Sequence, residues 1–185
     1  MSHPVRKRTT TRTFRIGAEW DNVLQQEAAR QGLSVNVLMN KILSRYVLFD
    51  RWAERYGAIA LVPRAFQGIL GTTTQEDLAK AGEESGKDII NILDEMGLAL
   101  TLDSFVYFIE EFLGKGKRWF HVSHYVQGNE DLFHFQHDLG KGWSVYLSEY
   151  LKPFLKSLNN IDPEIRIYEY AVNLKVKRSN PKPKI

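Results

Sequence analysis

The stretch Thr9 to Ile16, "TTTRTFRI", decides how the beginning of the chain is read. Its residues alternate: Thr11, Thr13 and Arg15 fall on one side, Phe14 and Ile16 on the other, which is the two-residue period of a β-strand. Helical periodicity begins at Ala18, so the strand has no hairpin partner nearby in its own sequence. An unpaired strand leaves backbone N–H and C=O groups without partners and needs something to cover them. The partner must come from elsewhere, and a second copy of the chain is one source.

From Ala18 to Gln31 the positions Trp20, Val23, Leu24, Glu27 and Ala28 recur at three- and four-residue intervals, a helix with one mostly apolar stripe. Gly32 supplies a left-handed stop and Ser34 an N-cap, although Val37 stands where a capping box would place Glu or Gln. From Val35 the apolar positions Leu38, Met39, Ile42, Leu43, Tyr46, Val47 and Phe49 continue to Trp52 and Tyr56, with no proline or glycine before Gly57. This predicts one long helix.

Strand, helix, a short "GLSVN" turn and helix, in "TRTFRIGAEWDNVLQQEAARQGLSVNVLMNKILSRYV", resemble the ribbon-helix-helix family of DNA-binding proteins of the Arc and MetJ type. The resemblance covers residues 9–48. It implies an intertwined homodimer, open to higher assembly, whose two strands pair antiparallel and enter the major groove of double-stranded DNA. By position it implies base contacts from Thr11, Thr13 and Arg15. Phosphate contacts would come from Arg6, Lys7, Arg8 and Arg12 and from the helix start at Ser34, Val35 and Asn36. Phe14, Ile16, Leu24, Ala28, Met39 and Leu43 correspond to the dimer core.

The charge distribution agrees with a polyanion contacted by the ends of the chain only. Net charge is only +3, yet residues 1–15 and 175–185 together hold ten of the 25 basic residues and none of the 22 acidic ones. The middle is therefore net acidic, and such a surface repels phosphate. For "KVKRSNPKPKI" at 175–185, two prolines and no apolar period point to a flexible solubilising tail. The absence of cysteine removes disulfides, thiolate metal sites and cysteine nucleophiles. No apolar run has the length of a membrane span and Met1 to Thr13 has no hydrophobic segment, so a cytoplasmic protein is expected.

The expected organisation is a basic arm and DNA-binding module over 1–56, an α+β domain over 57–174, and the tail. In the second domain, helical patterns run over Arg64 to Leu70, Gln75 to Met96 with breaks at Gly82 and Gly86, and Leu102 to Leu113. "RWFHVSHYV" and "LFHFQHDL" form a hairpin around "QGNED", Trp143 to Leu158 is a helix that Pro153 should kink, and "IRIYEYAVNLKV" is a final strand.

Four of the five histidines, His121, His124, His134 and His137, lie in that hairpin. A nickel-responsive branch of the family uses histidines in a C-terminal domain, but its spacing differs and its cysteine ligand is missing here. Alternation puts His121 and His134 on one face and His124 and His137 on the other, so one chain cannot gather four around an ion. No cofactor is expected; His121 and His134 are the pair left as metal candidates. "HDLGKGWSVYLSEYL" loosely resembles uncharacterised archaeal proteins, and its "GKG" lacks the length and the Ser or Thr of a phosphate loop. Ser144, His137 and Asp138 are the residue types of a hydrolase triad, but no nucleophile elbow surrounds the serine, so no enzyme is expected.

The functional expectation is a dimeric transcriptional regulator whose 57–174 domain binds a small ligand or protein. The alternative is an antitoxin-like module that neutralises a protein partner and autoregulates through DNA. Antitoxins carry short disordered toxin-binding tails, whereas 57–174 has the composition of a packed core.

Overall fold

Helix α1 spans Ala18–Arg30 and opens with Glu19 and Asp21 in its first turn, where carboxylates oppose the positive end of the helix dipole. In the computed structural model, which describes residues 10–57, 61–158, 161 and 163–178, it ends in a Schellman motif. Gly32 takes φ 65°, its N–H donates to Ala29 O, and Leu33 N–H donates to Ala28 O. Helix α2, Val35–Arg45, follows with Ser34 Oγ accepting from Val37 N–H at 3.3 Å. Residues 10–17 ahead of α1 form no strand.

The single long helix expected from Val35 onward is interrupted. A π-helical turn, Tyr46–Asp50, separates α2 from α3, Arg51–Arg55. A π-turn takes up one residue more per turn than an α-helix, which periodicity alone does not reveal. The chain divides into two compact units, Met1–Tyr46 and Val47–Ile185. Phe49 and Trp52 pack into the core of the second, where Phe49 meets Phe112 edge-on at 5.3 Å.

In the larger unit, α4 (Pro63–Gly71) starts on a proline, whose missing N–H costs nothing at that position. Helix α5 (Gln75–Glu95) is capped by Thr74, which accepts from Asp77 N–H at 3.1 Å. Gly82 and Gly86 do not break it. They are buried where α5 meets α7 (Lys141–Ser157), and a Cβ on either would run into the carbonyl oxygen of Tyr146 or Tyr150. Glycine here serves close helix packing. Pro153 likewise lies inside α7. Helix α6 (Leu102–Tyr107) continues as a π-helical stretch, Phe108–Gly116, and their inward face buries Phe105, Phe108, Ile109, Phe112 and Leu113.

The hairpin forms as β1 (His121–Gln127) and β2 (Glu130–Gln136). The expected single last strand is two, β3 (Glu164–Ile167) and β4 (Ala171–Lys177), joined where Tyr168 N–H donates to Ala171 O. A parity change marks the turn: Ile165 and Ile167 alternate on odd positions, Val172, Leu174 and Val176 on even ones. The antiparallel sheet has the order β1-β2-β4-β3. Phe133, Phe135, Val172, Leu174 and Val176 point into a core shared with Ile89, Leu93, Leu147, Leu151 and Phe154. The fold is α+β. Lys175 and Lys177 belong to β4 and Arg178 N–H donates to Asn129 O, so the basic segment expected as a tail from 175 begins within the sheet. Residues 179–185 lie outside the described residues.

Candidate functional site

The smaller unit exposes what a small globular unit ordinarily buries. Its two helices bury only Ala28 and Leu38, while Phe14, Trp20 and Val23 are 57%, 66% and 62% exposed. Of the positions matched to a dimer core, Ala28 is buried, Leu24 and Met39 are half-buried, and Phe14, Ile16 and Leu43 are exposed. Leu38, absent from that set, is the second buried residue. Thr11, Arg12, Thr13 and Arg15 are exposed. Arg6, Lys7 and Arg8 lie outside the described residues. At the α2 start, Ser34 occupies Val37 N–H, and the N–H groups of Val35 and Asn36 have no acceptor within the helix, as at any helix start.

In the larger unit the strand register puts His124 opposite Phe133, with the two rings stacked at 4.3 Å, and His134 opposite Ser123. His134 Nδ1 lies 2.6 Å from Asn173 Oδ1. The ring nitrogens of His124 both face carboxylates: Nε2 is 2.6 Å from Asp131 Oδ1 and Nδ1 is 3.3 Å from Glu110 Oε1. Asp131 is fully buried, and the Arg178 guanidinium donates to both its oxygens, from Nη2 at 2.9 Å and from Nε. Those donors, chiefly Arg178, hold the Asp131 carboxyl below the usual carboxylate range, against burial. Among the described residues, no three His, Asp or Glu side chains are grouped to hold a metal; His121 and His134 fall on one sheet face, diagonal to each other across the β1–β2 pair.

His137 and Ser144, seven residues apart in the sequence, are brought together. His137 Nδ1 accepts from Leu139 N–H at 3.2 Å, so the ring proton sits on Nε2 and donates to Ser144 Oγ at 2.9 Å. Ser144 Oγ in turn donates to Glu169 O at 3.4 Å. A general base would have to accept from the serine, and here the bond runs the other way. Both side chains are buried, and burial lowers the His137 pKa. The pair ties the start of α7 to the β3–β4 turn.

At the open end of the hairpin lies a cleft of about 870 Å³, within the range of small-molecule sites. Pro63, Trp119, Phe120 and Leu139 contribute apolar wall, and Arg118, His121, Gln136 and Asp138 contribute polar groups. Arg118 has φ 54°, a left-handed conformation that costs a residue with a Cβ about 1 kcal/mol or more. Beside it, Lys117 places its ammonium over the Trp119 and Phe112 rings, at 4.7 and 5.3 Å, and burial lowers its pKa. Nothing in the sequence pattern singled out this cleft, because its residues come from three segments of chain that meet only in the fold. Among the described residues no helix is long and apolar enough to cross a membrane. Compared with models of protein families, with curated proteins and with solved structures, the chain matches none.

Proposed function

We propose that the protein is a dimeric, sequence-specific DNA-binding regulator that reads the major groove with residues 11–15 of two chains, and whose larger unit senses a ligand. What carries this reading is the unsatisfied apolar surface of the smaller unit. Phe14, Ile16, Trp20, Val23, Ile42 and Leu43 are all exposed on a unit whose two helices bury two residues. Exposed apolar area of that density marks an interface. Residues 11–16, without a strand partner in one chain, gain one by antiparallel pairing with a second copy. Pairing would set Phe14 and Ile16 against the helices and turn Thr11, Thr13 and Arg15 outward, where threonine meets base acceptors or thymine methyl groups and arginine meets guanine O6 and N7.

The test is a hydroxyl-radical footprint of the full-length protein on DNA upstream of its own coding sequence. A protected site with two-fold symmetry and two chains per half-site pair supports the reading. A stable stoichiometric protein partner in pull-downs from the native host, with no footprint, favours the antitoxin-like alternative.

A further inference from the structure

The open end of the β1–β2 hairpin gathers four polar side chains, of which Asp138 acts on the neighbouring His137 through its charge alone. His121 and Gln136 face each other at the last register position of the pair; Arg118 precedes β1 and Asp138 follows β2. All four line the cleft of about 870 Å³, and among the described residues none of their side chains makes a hydrogen bond or ion pair. The other charges there are already matched: Lys115 bonds Glu111, and Glu110 lies against His124.

One cation and one anion therefore remain in the same cleft, on neighbouring segments, and they are not paired with each other. A ligand with a single charge would satisfy one and leave the other bare or repelled. A phosphate-rich ligand would meet Asp138 and Glu110. A ligand that carries a carboxylate and an ammonium matches both, and the apolar wall of the same cleft, Trp119 and Leu139, each next in sequence to one of the two charges, accepts a hydrocarbon side chain.

We propose that this cleft binds a small zwitterion of the α-amino-acid type with an apolar or aromatic side chain. Arg118 takes the carboxylate, with the bidentate geometry a guanidinium offers, and Asp138 takes the ammonium. His121 and Gln136 supply the remaining donors and acceptors at the mouth. Only the regulatory consequence of binding rests on the function proposed above; the binding itself does not.

The experiment is calorimetric titration of the full-length protein with L-tryptophan, tryptamine and indole-3-propionate. The second lacks the carboxylate and the third lacks the ammonium. Tryptophan should bind about ten- to a hundredfold more tightly than either analogue, because each leaves one charged partner unsatisfied. In Arg118→Gln the advantage over tryptamine should disappear while the advantage over indole-3-propionate persists; Asp138→Asn should show the reverse. Both residues are exposed, and circular dichroism checks that the variants fold. No binding of tryptophan at millimolar concentration, analogues that bind as tightly, or variants that keep the full discrimination would each overturn the proposal. A DNA-binding assay with and without tryptophan separates the two readings. Binding with the expected pattern but no effect on DNA leaves the site standing and removes its regulatory role. DNA binding by a protein that takes no tryptophan removes the site alone.

Discussion

Replacing Gly82 or Gly86 of α5 by alanine should destabilise the larger unit, against the ordinary preference of helices. In an exposed helix interior alanine is better than glycine by about 1 kcal/mol. Here the added methyl has no room. At Gly82 it would meet the Tyr146 carbonyl oxygen and lie 3.2 Å from Glu149 Cβ; at Gly86 it would lie 3.0 Å from the Tyr150 carbonyl carbon and 3.1 Å from Pro153 Cγ. The Tyr146 and Tyr150 atoms are backbone, so relief requires α7 to move away from α5. That would loosen the seam of Ile89 and Leu93 against Leu147, Leu151 and Phe154, all fully buried. Overpacking of this kind costs about 1–3 kcal/mol, and subtracting the gain in propensity of about 1 kcal/mol leaves a net loss of up to about 2 kcal/mol per site. Gly68 in α4 is the control, since nothing lies within 4 Å of its Cβ position. Gly68→Ala should stabilise by about 0.5–1 kcal/mol. Urea unfolding of the three variants, followed by circular dichroism, reads these values. If Gly82→Ala and Gly86→Ala both stabilise as Gly68→Ala does, the helices do not pack as closely as argued.

Stability should also fall with acid in two steps, checked by melting temperature against pH. Burial holds the folded His137 below its ordinary 6.5, so the unfolded chain takes that proton first and stability declines as pH drops below about 6.5. The folded Asp131 sits below its ordinary 3.8, so its contribution is full above that value and is lost as pH falls through the lower folded one. For the histidines, elemental analysis should find substoichiometric transition metal, and chelator should leave the melting temperature unchanged; about one zinc or nickel per chain, lost in a His121→Ala, His134→Ala double variant, would reverse that expectation. On DNA, Arg15→Ala should cost about 1–3 kcal/mol on a selected site and much less on random sequence, whereas Arg12→Ala should weaken both and lower the salt dependence. Equal losses for Arg15→Ala on both DNAs would make it a phosphate contact.

Local signals in the sequence held up where one residue determines one piece of geometry. Gly32 and Ser34 mark the α1–α2 junction because a left-handed stop and an N-cap each depend on a single side chain or its absence. The hairpin was legible from alternation, and its register follows the pattern of Val122 and His124 against Phe135 and Phe133. What escaped depends on partners distant in sequence. Gly82 and Gly86 read as breaks because their reason, the α7 backbone, lies sixty residues away or more. The π-helical turns at Tyr46–Asp50 and Phe108–Gly116 shift the register by one residue, which an apolar run tolerates without trace. Asp131 looked like a turn residue of "QGNED", yet it is a fully buried carboxylate held by Arg178 from the segment expected to be a tail. The cleft is the extreme case, since Pro63, Arg118 and Asp138 have no sequence relation.

The central claim is that two chains together read a DNA sequence, and fluorescence anisotropy tests it most directly. Full-length protein is titrated, at one physiological salt concentration, into a labelled duplex selected from a random pool by the protein itself and into a shuffled duplex of the same composition. The account predicts a complex of two chains per site, or a multiple of two, and an affinity for the selected duplex at least about a thousandfold above the shuffled one, the lower bound typical of sequence-specific binders. Equal affinity for both duplexes, or one chain per duplex, would contradict it.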